Sequence, residues 1–75
     1  MNKQRRKNIM EISEKIESIA RSLKEILDEE QDAFDNMPEG LQSSERGIES
    51  ESAQESIESA IEHLEDAIFE LEEIF

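Results

Sequence analysis

Apolar side chains recur in this chain at a period that suits a packed pair of helices. From Ile9 they stand at Ile12, Ile16, Ile19, Leu23 and Ile26, in steps of three and four. The alternation averages 3.5 residues, the repeat of left-handed helix pairs. A second row, Ala20, Leu27 and Phe34, runs beside it at intervals of seven. The second half repeats the pattern with Ile57, Ile61, Leu64, Ile68, Leu71 and Phe75, flanked by Ala53, Ala60, Ala67 and Ile74. Two adjacent rows form a stripe wider than a bare two-stranded coiled coil requires. That width suits a bundle of three or four helices. No run alternates in the two-residue period of a strand.

Between the halves, Pro38 cannot sit inside a long helix, and it pushes Met37 away from helical geometry. The spacing predicts a helix over about residues 3–34, a loop over about 35–43 and a helix over about 44–74, all in one domain spanning 1–75. Each helix is about 45 Å long at 1.5 Å per residue. Near-equal lengths match an antiparallel hairpin. Asn36 and Glu39 are spaced as an N-cap and its third-position partner, so a short helical turn over 38–42 is expected. Ser43 or Ser44 offers an N-cap for the second long helix. Gly47 is its weak point, costing roughly 1 kcal/mol relative to alanine. Either it permits a close backbone approach or the first turn frays and the helix starts nearer Glu49.

A chain of 75 residues has little core to stabilise it, and small domains add disulfides, a metal or oligomerisation. Cysteine is absent and His63 is the only histidine, so disulfides and an ordinary zinc site are excluded. Oligomerisation remains. The expected fold is therefore an all-α antiparallel hairpin that dimerises into a four-helix bundle. Its expected interface is Ile12, Ile16, Ile19, Leu23, Ile26, Ile57, Ile61, Leu64, Ile68 and Leu71.

The net charge is −13, and it is unevenly placed. Residues 1–27 carry seven basic and four acidic side chains; residues 28–75 carry Arg46 and seventeen acidic ones. Nucleic-acid binding needs cations to displace phosphate counterions, so direct contact with DNA or RNA is not expected. An anionic membrane would be repelled as well. No apolar run reaches the roughly 20 residues that span a bilayer, and the basic start Lys3, Arg5, Arg6, Lys7 is not followed by the apolar stretch of a signal peptide. A cytoplasmic location is expected, with a second copy of the chain or a basic protein as partner. Folding into a hairpin would also bring Arg5, Arg6 and Lys7 near Glu70, Glu72 and Glu73.

Three constellations bear on chemistry. Glu55, Glu58, Glu62, Glu65, Asp66, Glu72 and Glu73 line the polar side of the second helix. They form either a solvated face or an acidic binding face that imitates a row of phosphates. Ser43, Ser44, Arg46 and Gly47 bring hydroxyls, a cation and free N–H groups to a helix start, where an anion can bind. The simpler reading there is ordinary capping with an Arg46 pair to Glu45 or Glu49. His63 reads as a surface histidine. No cysteine nucleophile, phosphate loop or inward-facing Glu-x-x-His pair occurs. No enzyme activity, metal or cofactor is expected.

The stretch Asp28-Glu29-Glu30-Gln31-Asp32-Ala33-Phe34-Asp35-Asn36-Met37-Pro38-Glu39-Gly40-Leu41-Gln42-Ser43-Ser44-Glu45-Arg46-Gly47, followed by Glu/Ile/Ala-rich heptads, resembles small uncharacterised helical proteins of bacteriophages and prophages. The resemblance covers most of the chain and is most specific in the loop. It implies an accessory role in the host cytoplasm, binding a host or defence protein rather than catalysing a reaction. Three alternatives stay open: an inhibitor that mimics nucleic acid, an oligomer that sequesters a small anionic ligand, and a purely structural or assembly protein.

Overall fold

The computed structural model describes residues 1–75 as three helices in series. They are α1 (Lys3–Asp35), α2 (Glu39–Gln42) and α3 (Glu45–Glu72). α1 and α3 pack along their length, and α2 closes the turn between them. The Cα envelope measures 58 × 14 × 12 Å.

Local chemistry explains the ends. The Asn2 side chain accepts a hydrogen bond from the Arg5 N–H at 2.8 Å, capping α1. At the other end Asn36 closes α1, its N–H donating to the Asp32 carbonyl at 3.0 Å, and Met37 donates to Phe34 at 3.0 Å. The expected N-cap role of Asn36 for α2 is therefore corrected. Pro38 precedes α2, and no side chain caps it. Ser44 precedes α3, but its hydroxyl turns back to donate to the Leu41 carbonyl instead of capping.

Gly47 lies inside α3 and is buried. A methyl group added there would stand 2.8 Å from the Gln42 Cα and overlap the Gln42 carbonyl outright. The residue thus serves close backbone approach, not fraying. Gln42 in turn donates from its side-chain amide to the Phe34 carbonyl at 3.1 Å, tying α2 to the end of α1. Gly47→Ala is expected to destabilise the hairpin by about 1–3 kcal/mol through overpacking, although alanine is the better helix former by roughly 1 kcal/mol. Gly40→Ala meets nothing within 4 Å and is the matched control, neutral or stabilising by about 0.4–1 kcal/mol. Urea unfolding of both variants checks this; equal midpoints would sink the close-packing account.

The seam between the long helices differs from the expected one on α1. Ser13 and Ala20 are buried, and Ile16, Leu23, Leu27 and Phe34 are half-buried. Ile12, Ile19 and Ile26 remain 50%, 55% and 49% exposed. The row of Ala20, Leu27 and Phe34, which reads as a companion in sequence, is half of the real seam. On α3 the seam is the expected one: Ile61 and Ile68 are buried, and Ile57, Leu64 and Leu71 are half-buried. α1 carries three apolar rows, whereas one facing helix covers only two. Towards the loop the seam turns polar. Ser50 donates to the Glu30 carboxylate at 2.7 Å, and Gln54 donates to the Ser50 oxygen at 3.2 Å. These bonds satisfy polar groups that would otherwise be costly to bury.

Little of the chain is buried. Six residues fall in the buried class, and only Ala20, Ile61 and Ile68 among them are hydrophobic. The accessible surface is 5757 Å². A compact monomer of 8.7 kDa exposes about 4,700 Å². The hairpin alone therefore leaves on the order of 1,000 Å² more surface in water than a compact fold of this mass.

Candidate interaction faces

Antiparallel packing sorts the side chains that flank the seam. In such a pair each flank of one helix meets the matching flank of the other. The ion pair identifies one flank: Lys24 Nζ stands 3.4 Å from Glu65 Oε1, each residue directly following a seam leucine, Leu23 or Leu64. By heptad spacing the same side carries Glu17 and Gln31 from α1, and Glu51, Glu58 and Glu72 from α3. The other flank therefore brings Ile12, Ile19 and Ile26 beside Ala53, Ala60, Ala67 and Ile74. At this register Ile26 lies level with Ala60, Ile19 with Ala67 and Ile12 with Ile74. One broad face of the hairpin is a two-rowed apolar strip, with large side chains on one helix and mostly small ones on the other.

Seven residues of the expected interface, Ile16, Leu23, Ile57, Ile61, Leu64, Ile68 and Leu71, are buried or half-buried within the hairpin's own seam. Ile12, Ile19 and Ile26 are the three left facing outward. The alanine row was visible in the sequence as a companion; its position beside the exposed isoleucines follows from the antiparallel register.

The opposite broad face is charged. Glu55, Glu58, Glu62, Glu65 and Glu72 are exposed and share the flank of the ion pair or the row next to it. Asp66 and Glu73 are exposed further round the helix, away from the seam. Two large apolar side chains bracket Glu55 and Glu62 in their row on this face. They are Ile48, 61% exposed, and Phe69, 68% exposed. They lie 21 residues apart on one helix, about 31 Å. Phe69 borders an open groove of about 290 Å³ between Glu17, Arg21 and Lys24 on α1 and Glu65 and Glu72 on α3. The sequence reading missed both apolar residues because neither belongs to the seam. Their signal was an apolar side chain at a solvent position of the heptad.

The expected pairing of Arg5, Arg6 and Lys7 with Glu70, Glu72 and Glu73 is corrected. Lys24–Glu65 is the one ion pair within 4.0 Å, and at 53–54% exposure such a pair contributes only about 0.2–1 kcal/mol. α1 is longer than α3, and at the register of the pair its first turns run past the last turn of α3. Residues 1–12 are exposed except Ile9. The basic start of the chain is an overhang without a partner in its own hairpin.

The remaining candidates lie as follows. Ser43 ends α2, and Ser44 donates to Leu41. Gly47 is packed on Gln42, and Arg46 is exposed. Glu45 places a carboxylate in the first turn of α3, where it competes with any incoming anion for the positive helix end. The expected anion site is not an enclosed one. His63 is exposed on α3, and no three His, Cys, Asp or Glu side chains converge as metal ligands. No helix is long and apolar enough to cross a membrane. Comparison with protein families, curated proteins and solved structures returned no match.

Proposed function

We propose that this chain is a non-catalytic interaction protein, of the phage accessory type its sequence resembles. Two hairpins associate through the face of Ile12, Ile19 and Ile26 with Ala53, Ala60, Ala67 and Ile74, forming a four-helix bundle. The bundle turns both acidic faces outward, where they engage a basic protein of the host or of its defences. The observation that carries this reading is the division of one hairpin into an apolar broad face and a carboxylate-lined one. Stable interfaces cover about 800 Å² per partner. The apolar strip, from Ile12 to Ile26 and from Ala53 to Ile74, runs for about 31 Å of helix on a molecule 14 Å across, roughly half of that area. The surplus exposed surface of the lone hairpin is about 1,000 Å². Ile48 and Phe69 on the acidic face provide apolar anchors, and interface energy concentrates in such residues. A partner with a basic surface and pockets for two side chains about 31 Å apart fits this face.

The phosphate-mimic alternative has less support. A phosphate row would be continuous, whereas here the row of Glu55 and Glu62 ends on Ile48 at one side and Phe69 at the other, and Lys24 pairs with Glu65.

The test is capture of partners from host lysate at low and high salt, repeated with two variants. Wild type is expected to retain a basic protein that elutes as salt rises. Phe69→Ala is expected to weaken capture about tenfold or more. Glu55→Lys with Glu62→Lys replaces two negative charges by two positive ones in each chain and is expected to abolish it, with self-association unchanged by sedimentation equilibrium. Capture that ignores both variants would overturn the acidic-face reading. A captured enzyme displaced by duplex DNA would favour nucleic-acid mimicry.

A further inference from the structure

We infer that the occupant of the isoleucine–alanine face is a second copy of the chain docked antiparallel, with loops at opposite ends of the bundle. This inference rests on the four-helix reading above and adds its orientation. Apolar fit does not choose between orientations. With loops at the same end, each isoleucine row would meet an alanine row. With loops at opposite ends, a two-fold axis midway between Ile19 and Ile26 also passes midway between Ala60 and Ala67. It pairs Ile19 with the second copy's Ile26 and Ala60 with its Ala67, and it leaves no row unmatched.

Charge does choose. Cut at the level where Ile26 lies beside Ala60, the loop half, residues 25–61, holds twelve acidic side chains and Arg46, a net of −11. The open half holds seven basic and nine acidic ones, a net of −2. Loops at the same end would stack one −11 half on another and bring two basic overhangs together. The antiparallel arrangement sets each −11 half against a −2 half. The product of the facing charges falls to roughly a third, and repulsion scales with that product. Packed helices lie about 8–10 Å apart, close to the Debye length at physiological salt, so screening weakens this difference without removing it. The overhang supplies the local match. Lys3, Arg5, Arg6 and Lys7 have no ion-pair partner in their own hairpin. In the antiparallel bundle they reach the loop end of the other copy, where Asp32, Asp35, Glu39 and Glu45 are exposed.

The chain has no cysteine, so single spin labels can be introduced at will. Three single-cysteine variants of the full chain, at Gln4, Ser43 and Ser59, are measured by double electron–electron resonance. Ser59 lies near mid-height on the outer side of α3, and its label reports association in either orientation with a distance under about 30 Å, given a helix spacing of about 10 Å. The antiparallel dimer predicts about 55 Å between the two Gln4 labels and about 60 Å between the two at Ser43, from 1.5 Å of rise per residue. About 20–25 Å at Gln4 and Ser43, alongside a short distance at Ser59, would overturn the orientation and leave the dimer standing. No dipolar signal at Ser59 would overturn both.

Discussion

Ile61→Asp is expected to unfold the hairpin. Ile61 is 6% exposed and sits mid-seam on α3, with the half-buried Ile57 and Leu64 and the buried Ile68 one turn or two away. The substitution removes a buried branched side chain, a loss of about 2–5 kcal/mol for truncation alone. It also places a carboxylate in the seam, where the flanking Lys24 is already paired with Glu65, and an unpaired buried charge costs several kcal/mol more. A chain of this length has a total stability on the order of 4–11 kcal/mol. With only three hydrophobic residues in the buried class, this hairpin has few other contacts to fall back on. Circular dichroism at 222 nm is expected to lose most of its helical signal at 25 °C. Leu64→Asp, at a half-buried position, follows in the same direction with a smaller loss. A variant at Ile61 with wild-type helicity and urea midpoint would refute the packing described for the seam.

Ile19→Glu combined with Ile26→Glu is expected to do the opposite: leave each hairpin helical and abolish its association. These side chains are about half exposed in the hairpin, so the seam loses little. Full burial of isoleucine contributes about 1.5–3 kcal/mol, and the half still in water is therefore worth about 1 kcal/mol per residue. Two residues on each of two copies give about 4 kcal/mol, or roughly a thousandfold in the dissociation constant. Glutamate at the interface adds repulsion to a molecule already at −13. Sedimentation equilibrium across micromolar concentrations reads the change directly. If the variant associates as wild type does, another surface holds the copies together. If association and helicity vanish together, the hairpin depends on its dimer for folding, as small obligate dimers do.

The contrast between the two variants shows where sequence reasoning holds and where it does not. On α3 the repeat of Ile57, Ile61, Leu64, Ile68 and Leu71 has one flanking row, of small alanines. The largest side chains mark the seam, and periodicity finds it. On α1 the rows of Ile12–Ile19–Ile26, Ile16–Leu23 and Ala20–Leu27–Phe34 compete. Residue size favours the first two, yet the hairpin packs the second and third. The reason lies in the turn. Gln42 bonds to the end of α1, Gly47 packs on the Gln42 backbone, and Lys24 meets Glu65. Together they set the rotation of α1 against α3, and none of them shows in a hydrophobic period.

The loop is legible to the same extent. Pro38 marks the break, because no long helix accommodates it. Whether Asn36 would open the next turn or close the last depends on the backbone around Met37, and the close contact at Gly47 depends on where α2 is folded. The end-to-end pairing of Arg5, Arg6 and Lys7 with the last turn of α3 was reasonable for helices of equal length. It fails because of the stagger: α3 ends at Glu72, and at the register of Lys24 and Glu65 that residue stands level with about Glu17, not with the first turn of α1.

The sequence by itself determined that the chain is two amphipathic helices joined by a turn, that its loop half is strongly acidic, and that its core is thin. Those properties follow from periodicity, proline placement and charge, which act locally or sum along the chain. Only the tertiary structure decided which isoleucines are buried and which stay in water. That choice rests on the relative rotation and stagger of two helices, and a few contacts between residues distant in sequence set both.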